Sequence, residues 1–260
     1  MINSERIKLD SAKAYLIEQG LLGVVEAYGE VTLGPNQKLA PRAEPYPPNL
    51  IDLQRLHRFI ISRKRTTIME FGVGWSTLVF CDALSKLKLK FSDEFNRLRR
   101  SNPFELHALD NEAKYIEIAE ARLPEKLKQH AYFYQSEVQM GTFNNRICTY
   151  YKRLPHVSPD FIYVDGPGQF NVQSDISGWS TRHKDMMPMS ADILRIEHFL
   201  TPGTIIVFDG RAANARFFRS NIQRNWDYKY EEEYDQHVFE LSEEPLGKFN
   251  KMQMNFYSSV

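Results

Sequence analysis

Cysteine is scarce. Cys81 and Cys148 are the only two in 260 residues, and they lie far apart. That spacing excludes a CxxC pair and a disulfide framework, and it fits a reducing compartment. Net charge is absent as well: 33 Lys+Arg balance 33 Asp+Glu, which removes the electrostatic case for nucleic acid or an anionic membrane as partner. No apolar run is long enough to span a bilayer, and the opening MINSERIKLDSAKAYLIEQG lacks the apolar core of a signal peptide. The expectation is a soluble, cytoplasmic protein. The patterns HExxH, GxSxG and GxxxxGKS/T are also missing, so zinc-protease, α/β-hydrolase and P-loop readings have no support.

What is present describes a globular chain. Hydrophobic residues make up 42% and charged ones 25%, and an aromatic share of 13% suits a well-filled core. A helix is expected around 9–28, followed by GEVTLGPNQKLAPRAEPYPP, whose Pro and Gly content reads as an extended connection. Leu50, Leu53, Leu56, Phe59 and Ile60 fall at helical spacing behind two prolines. TTIMEF then reads as a buried strand, and STLVFCDALSKL as a helix that Ser76 or Thr77 could cap. The basic stretch KLKLKFSDEFNRLRRSNPF, 86–104, reads as a solvated insertion, with docking of an anionic substrate as its alternative.

Beyond it, FELHALD, DFIYVDGPG and GTIIVFDG read as strands, and NEAKYIEIAEARLPEKL, SADILRIEHFL and ANARFFRSNIQRNW as helices. AYFYQSEVQ and RICTYYKRL are strand candidates separated by a turn-like MGTFNN; YKYEEEYDQHVFEL and KMQMNFYSSV are strand candidates at the end. This alternation implies a doubly wound, mostly parallel sheet with helices on both faces. Three of its strands end in an acid: Asp110, Asp165 and Asp209. In an open α/β sheet the carboxyl ends of the strands face the ligand crevice, so three carboxylates arriving at one rim point to binding rather than packing.

The turn EFGVGWST sharpens that expectation. Gly72 and Gly74 would let a ligand approach the backbone and meet the N–H groups of the next helix. Thr77 stands where the dinucleotide fingerprint has its third glycine, and Glu70 would repel a phosphate. Both features favour a cationic, phosphate-free cofactor over ATP or NAD.

EFGVGWST, followed by a strand ending in Asp110, resembles the first two motifs of class I S-adenosylmethionine-dependent methyltransferases. PDFIYVDGP resembles their fourth-strand motif, and LTPGTIIVFDG resembles the Pro-Gly lead into their fifth strand. The resemblance covers about residues 48–241 and implies a seven-stranded Rossmann-like methyltransferase fold over 48–260, preceded by an N-terminal helical extension and linker over 1–47. By position it implies that Glu70, Gly72 and Gly74, with Ser76 or Thr77, flank the methionine part of S-adenosylmethionine. Asp110 would hold the ribose, Ser136 or Glu137 would stand near the adenine, and Asp165 would lie beside the cofactor. In some O-methyltransferases of this superfamily, acids after the fourth and fifth strands hold a divalent cation. Asp165, Asp209 and Asn214 would be the corresponding Mg²⁺ ligands here; alternatively Asp209 caps the next helix and Asp165 contacts cofactor or backbone.

Asp165 and Asp209 are also the candidates for removing the acceptor's proton, and His183, in the loop after the fourth strand, is a further candidate base. Arg211 could pair with Asp209 or Asp165, or clamp an anionic substrate. The expected acceptor is a small molecule or a saccharide hydroxyl; DGP and FDGR lack the Asn/Asp-Pro-Pro-aromatic signature associated with amino-group methylation of nucleobases or glutamine. The rival readings are a non-catalytic cofactor- or partner-binding protein on the same fold, and an NAD-dependent oxidoreductase.

Overall fold

The structure, a computed structural model, describes residues 2–28, 46–187 and 189–259. The chain runs α1 (Ile2–Glu18), α2 (Leu22–Tyr28), α3 (Leu50–Arg63), β1 (Thr67–Phe71), α4 (Trp75–Phe95), β2 (Glu105–Asp110), α5 (Ala113–Arg122) and α6 (Glu125–Lys128). It continues through β3 (Ala131–Gln135), β4 (Val138–Phe143), β5 (Arg146–Tyr151), β6 (Phe161–Val164), β7 (Val172–Gln173) and α7 (Asp192–Ile196). The last elements are β8 (Ile205–Asp209), α8 (Ala212–Arg219), β9 (Trp226–Glu231), β10 (Gln236–Leu241) and α9 (Gly247–Ser258).

Seven strands form the main sheet in the order β3-β2-β1-β6-β8-β10-β9, parallel except for β10, which runs against both neighbours. This is a doubly wound, Rossmann-like sheet. The order reverses between β1 and β6, and there the strand ends open a crevice. Period-2 alternation sets the two faces. Ile68 packs into the cluster with α3, α4 and α9, whereas Met69 and Phe71 pack into the cluster with α7, α8 and a three-stranded sheet, β5-β4-β7. Glu70 shares the face of Ile68 and so points toward α4.

Several local expectations are corrected. The expected helix over 9–28 is two helices, because the chain turns at Gly20, whose φ is 75°. Most of the expected extended connection lies outside the described residues. The basic stretch is no inserted loop up to residue 95. It is the second half of α4, with Leu87, Phe91 and Phe95 buried at helical spacing and Lys88 and Lys90 exposed. The long interval between Glu70 and Asp110 is therefore a long helix. AYFYQSEVQ divides between two sheets, and of MGTFNN only Asn144 and Asn145 turn, both at positive φ. KMQMNFYSSV is helical, since Asn250, Gln253, Phe256 and Tyr257 bury one face of α9.

Two devices fix the frame around the site. Asn49 caps α3, its Oδ1 accepting from the Ile51 N–H at 3.1 Å. At the opposite end of the sheet, the fully buried Asp160 accepts from the N–H groups of Thr66 and Thr67 and from the hydroxyls of Thr66 and Tyr257. That carboxylate ties β1, β6 and α9 together.

Candidate functional site

The turn after β1 is built around a closed contact between two glycines. Gly72 has φ 88°, and a Cβ placed on it would lie 2.6 Å from the Gly166 N and 2.8 Å from the Asp165 carbonyl carbon. A Cβ on Gly166 would lie 2.6 Å from the Gly72 N. The ends of β1 and β6 touch backbone to backbone at the switch point, which only glycine permits. Gly74 is different. Its φ of −171° is ordinary extended backbone, and a Cβ there would meet nothing nearer than the Ser76 Oγ at 4.0 Å. The fold requires Gly72, but not Gly74.

Glu70 is fully buried beneath this turn. Its carboxyl group accepts from the Ser76 hydroxyl and, at 2.7 Å, from the Thr77 hydroxyl. Thr77 Oγ1 in turn accepts from the Gly74 N–H at 3.2 Å. The three polar side chains therefore hold the turn from below. Burial pushes the Glu70 pKa up to about 8, although both hydroxyl donors favour the ionised form. At about pH 7 the group is mostly protonated, so a standing negative charge is not what would reject a phosphate here.

The sign of the resulting pH dependence follows directly. Glu70 binds its proton more tightly folded than unfolded, so its contribution is fully present below about pH 4.5 and is lost as pH rises to about 8. Glu70→Gln keeps the shape and cannot ionise. Its denaturation midpoint is expected to fall less steeply than that of the wild type between about pH 5 and 8. Equal slopes in the two proteins would contradict this assignment.

Asp110 ends β2 and fixes the turn from the side. One carboxylate oxygen accepts from the Val73 N–H at 3.0 Å, the other from the Glu112 N–H at 2.9 Å. Each oxygen retains a lone pair. Burial raises its pKa, and these backbone donors oppose the rise. Ser136 follows β3 beside it, its N–H donating to the Asp110 carbonyl and its hydroxyl accepting from the Arg153 N–H at 2.9 Å.

Asp165 and Asp209 stand in different surroundings. Asp165 is 57% exposed and lies 3.5 Å from the Arg211 Nε. Arg211 also donates to the carbonyls of Asp165 and Pro167, which settles its partner in favour of Asp165 over Asp209. Desolvation pushes the Asp165 pKa up, Arg211 pulls it down and Asp209 adds to the rise. With more than half of the side chain in water, the net rise is smaller than burial would produce. Asp209 accepts from the Tyr163 hydroxyl and, at 3.0 Å, from the Gln236 amide.

The expected Mg²⁺ triad is not assembled. Asn214 is buried on the inner side of α8, where its Oδ1 accepts from the Ser190 N–H at 3.0 Å. Asp209 already holds two donors, and Asp165 is paired with Arg211. Among the described residues no group of three or more His, Cys, Asp or Glu could hold a metal ion. His183 lies on the exposed loop, its side chain 57% accessible and its Nδ1 accepting from the Asp185 N–H of the same loop.

The rim also contains polar groups that the sequence does not single out. Trp75 Nε1, Asn111 Oδ1 and the Tyr151 hydroxyl are buried without a hydrogen-bond partner. Trp75 begins α4 immediately after the glycine turn, Asn111 follows Asp110, and Tyr151 lies in the field of Asp110 and Asp165. An unsatisfied buried polar group costs about 1–3 kcal/mol. Together with the open space over Gly74, these groups fit a ligand that brings its own donors and acceptors to the β1, β2 and β6 ends. Trp75 sits inside the EFGVGWST motif and could have been suspected. Asn111 stands directly after the acid that ends β2 and could have been suspected too, whereas Tyr151 arrives by tertiary packing and carries no local signal.

No protein-family profile matches the chain, and no curated protein sequence matches it. Among solved structures, the chain is similar to an O-methyltransferase from Bacillus cereus in complex with SAH. The two are 13% identical, over 88% of this chain and 91% of the other, with a TM-score of 0.40. It is also similar to the O-methyltransferase TomG from Streptomyces achromogenes, involved in tomaymycin synthesis, in complex with SAM (14% identity, 91% and 90% coverage, TM-score 0.39). A putative O-methyltransferase from Klebsiella pneumoniae gives 13% identity, 91% and 90% coverage and a TM-score of 0.37. No described helix is long and apolar enough to cross a membrane.

Proposed function

We propose that the chain is an S-adenosylmethionine-dependent methyltransferase acting on a hydroxyl of a small molecule or saccharide. The observation that carries this reading is the turn Gly72–Thr77. It is rigidly held from below and from the side, yet has room above Gly74 and unsatisfied polar groups around it. In this reading the backbone at Gly72 and Gly74 lies against the methionine part of the cofactor. Asp110 accepts from the ribose hydroxyls with its remaining lone pairs, and Ser136 stands beside the adenine. Glu70, Ser76 and Thr77 preorganise the turn. S-adenosylmethionine supplies an electrophilic methyl group on a sulfonium.

The protein's share is alignment, proton removal and exclusion of water. Asp165, solvent-accessible and oriented by Arg211, is the group positioned to take the acceptor's proton. Asp209 is held by Tyr163 and Gln236 and lines the acceptor side. Neither Mg²⁺ nor His183 is given a role. The carboxylates at the rim suit a cationic cofactor. Ionisation of the Asp110 and Asp165 side chains strengthens its attraction, so sulfonium affinity should rise with pH more than the affinity of the uncharged thioether product.

The test is a methyl-labelled S-adenosylmethionine incubation with pooled small-molecule hydroxyl and saccharide acceptors, comparing wild type with Asp165→Asn. The expected result is labelled product with wild type and a loss of about 100-fold or more in the variant, the usual scale of a general base. Equal labelling by both proteins would remove Asp165 from the chemistry. The absence of any labelled product from a protein that binds S-adenosylhomocysteine would favour the non-catalytic reading.

A further inference from the structure

On the far side of Asp209, α3 brings charged groups to the rim that cofactor binding does not use. Across the sheet, Asp209 of β8 stands in register with Gln236 of β10, which stands in register with Glu231 of β9. Arg55 of α3 pairs with Glu231 and lies 4.5 Å over the Tyr234 ring, so its charge is already balanced. Asp52, one helical turn earlier, lies in the field of Asp209 and Asp165, with Asp235 beyond them. Among the described residues neither Asp52 nor Asp209 makes an ion pair within 4.0 Å. Burial and Asp209 together push the Asp52 carboxyl up to about 7, with Arg55 opposing.

A second observation points to a ligand. Gln236 is wholly buried, and its Nε2 donates to Asp209 Oδ1 at 3.0 Å, which directs the amide beside that carboxylate. Its Oε1 is left with no donor. Two arginines, Arg211 and Arg55, lie in the field of Asp209 but are paired with Asp165 and Glu231, so among the described residues Gln236 Oε1 has no donor and Asp52 no ion-pair partner. A primary ammonium offers both, with one N–H for each of three acceptors.

We propose that Asp52, Asp209 and Gln236 form a subsite for a protonated amine carried by the methyl acceptor, making that acceptor an amino alcohol or amino sugar. This deepens, and rests on, the methyl-transfer reading above. Held between two carboxylates, the nitrogen keeps its proton and has no lone pair to attack with. The amine orients the molecule while a neighbouring hydroxyl receives the methyl group.

Matched pairs of probes test the subsite by ligand-observed NMR: ethanolamine against ethylene glycol, glucosamine against glucose, and dopamine against 4-ethylcatechol. Each is measured with wild type, Asp52→Asn and Asp52→Glu, whose folding is checked by thermal unfolding. In at least one pair the amine should bind about tenfold tighter than its neutral counterpart, equivalent to about 1.4 kcal/mol. Asp52→Asn should erase the preference, and Asp52→Glu should restore it in part. Equal binding within every pair, no binding of any amine at up to about 20 mM, or a preference that survives Asp52→Asn would overturn the proposal. S-adenosylhomocysteine binding is measured separately. Its failure would remove the methyl-transfer reading, while the amine preference, measured without it, still decides the subsite.

Discussion

Gly74→Ala is expected to unfold at close to the wild-type temperature while losing affinity for S-adenosylhomocysteine by about tenfold or more. A Cβ at Gly74 meets no protein atom closer than 4.0 Å, and the backbone there is in the extended region open to any residue. The substitution therefore introduces neither overlap nor strain into the free protein. A methyl group projecting into a closely fitted ligand contact costs about 1–3 kcal/mol, and about 1.4 kcal/mol is already a factor of ten. The check is a pair of measurements on one preparation: thermal unfolding without ligand, then calorimetric titration. Unchanged affinity would mean that no ligand approaches the chain at Gly74.

Gly72→Ala, two positions earlier, is expected to behave in the opposite way. The added Cβ would lie 2.6 Å from one backbone atom and 2.8 Å from two others, all in the segment that leaves β6. Backbone cannot rotate aside as a side chain can, so β1 and β6 would have to separate at the switch point. The φ of 88° adds strain for any residue with a Cβ. Overpacking and backbone strain each cost about 1–3 kcal/mol, so a loss of roughly 2–6 kcal/mol is expected. Gly166→Ala is its mirror test, since its Cβ would meet Gly72 and Phe71 backbone at 2.6–2.9 Å. Denaturant midpoints at constant m-value measure both. A Gly72→Ala loss below about 1 kcal/mol would show that the two strand ends do not touch as described.

These two glycines also show how far the sequence could be read. A strand, two glycines and a helix can be recognised from residues 66–80 alone. Which glycine serves the fold and which leaves room for a ligand depends on Gly166, nearly a hundred residues away, and no local pattern encodes that contact. The same division runs through the rest of the chain. Helix α3 was readable because its apolar residues recur with the helical period, and the strands ending at Asp110, Asp165 and Asp209 because they are short apolar runs closed by an acid. The sequence of α9 hides its helix because KMQMNFY alternates like a strand, and the spacing of Asn250, Gln253 and Phe256 gains meaning only through the burial of Asn250 and Gln253. In the basic half of α4 the charges mask the helical spacing of Leu87, Phe91 and Phe95.

The acids illustrate the same point in chemical terms. Their arrival at one rim followed from strand order, but their states did not. Glu70 was expected to face a ligand as an anion. Its position on the Ile68 face of β1 instead buries it under α4, where desolvation raises its pKa and two hydroxyls brace it. Asp165 and Asp209 were expected to share a metal. Arg211 from one side, and Tyr163 with Gln236 from the other, give each its own partners. Those partners come from β6, β10 and the turn before α8, so only the folded chain reveals them.

The account stands or falls on what binds at the β1, β2 and β6 ends. Calorimetric titration of the full chain with S-adenosylhomocysteine, alongside NADH and the Gly74→Ala protein, addresses this most directly. The prediction is saturable, roughly one-to-one binding of S-adenosylhomocysteine with a Kd of order 10 µM, weakened in Gly74→Ala, and no binding of NADH. No heat from S-adenosylhomocysteine, or NADH binding that Gly74→Ala weakens in its place, would contradict it.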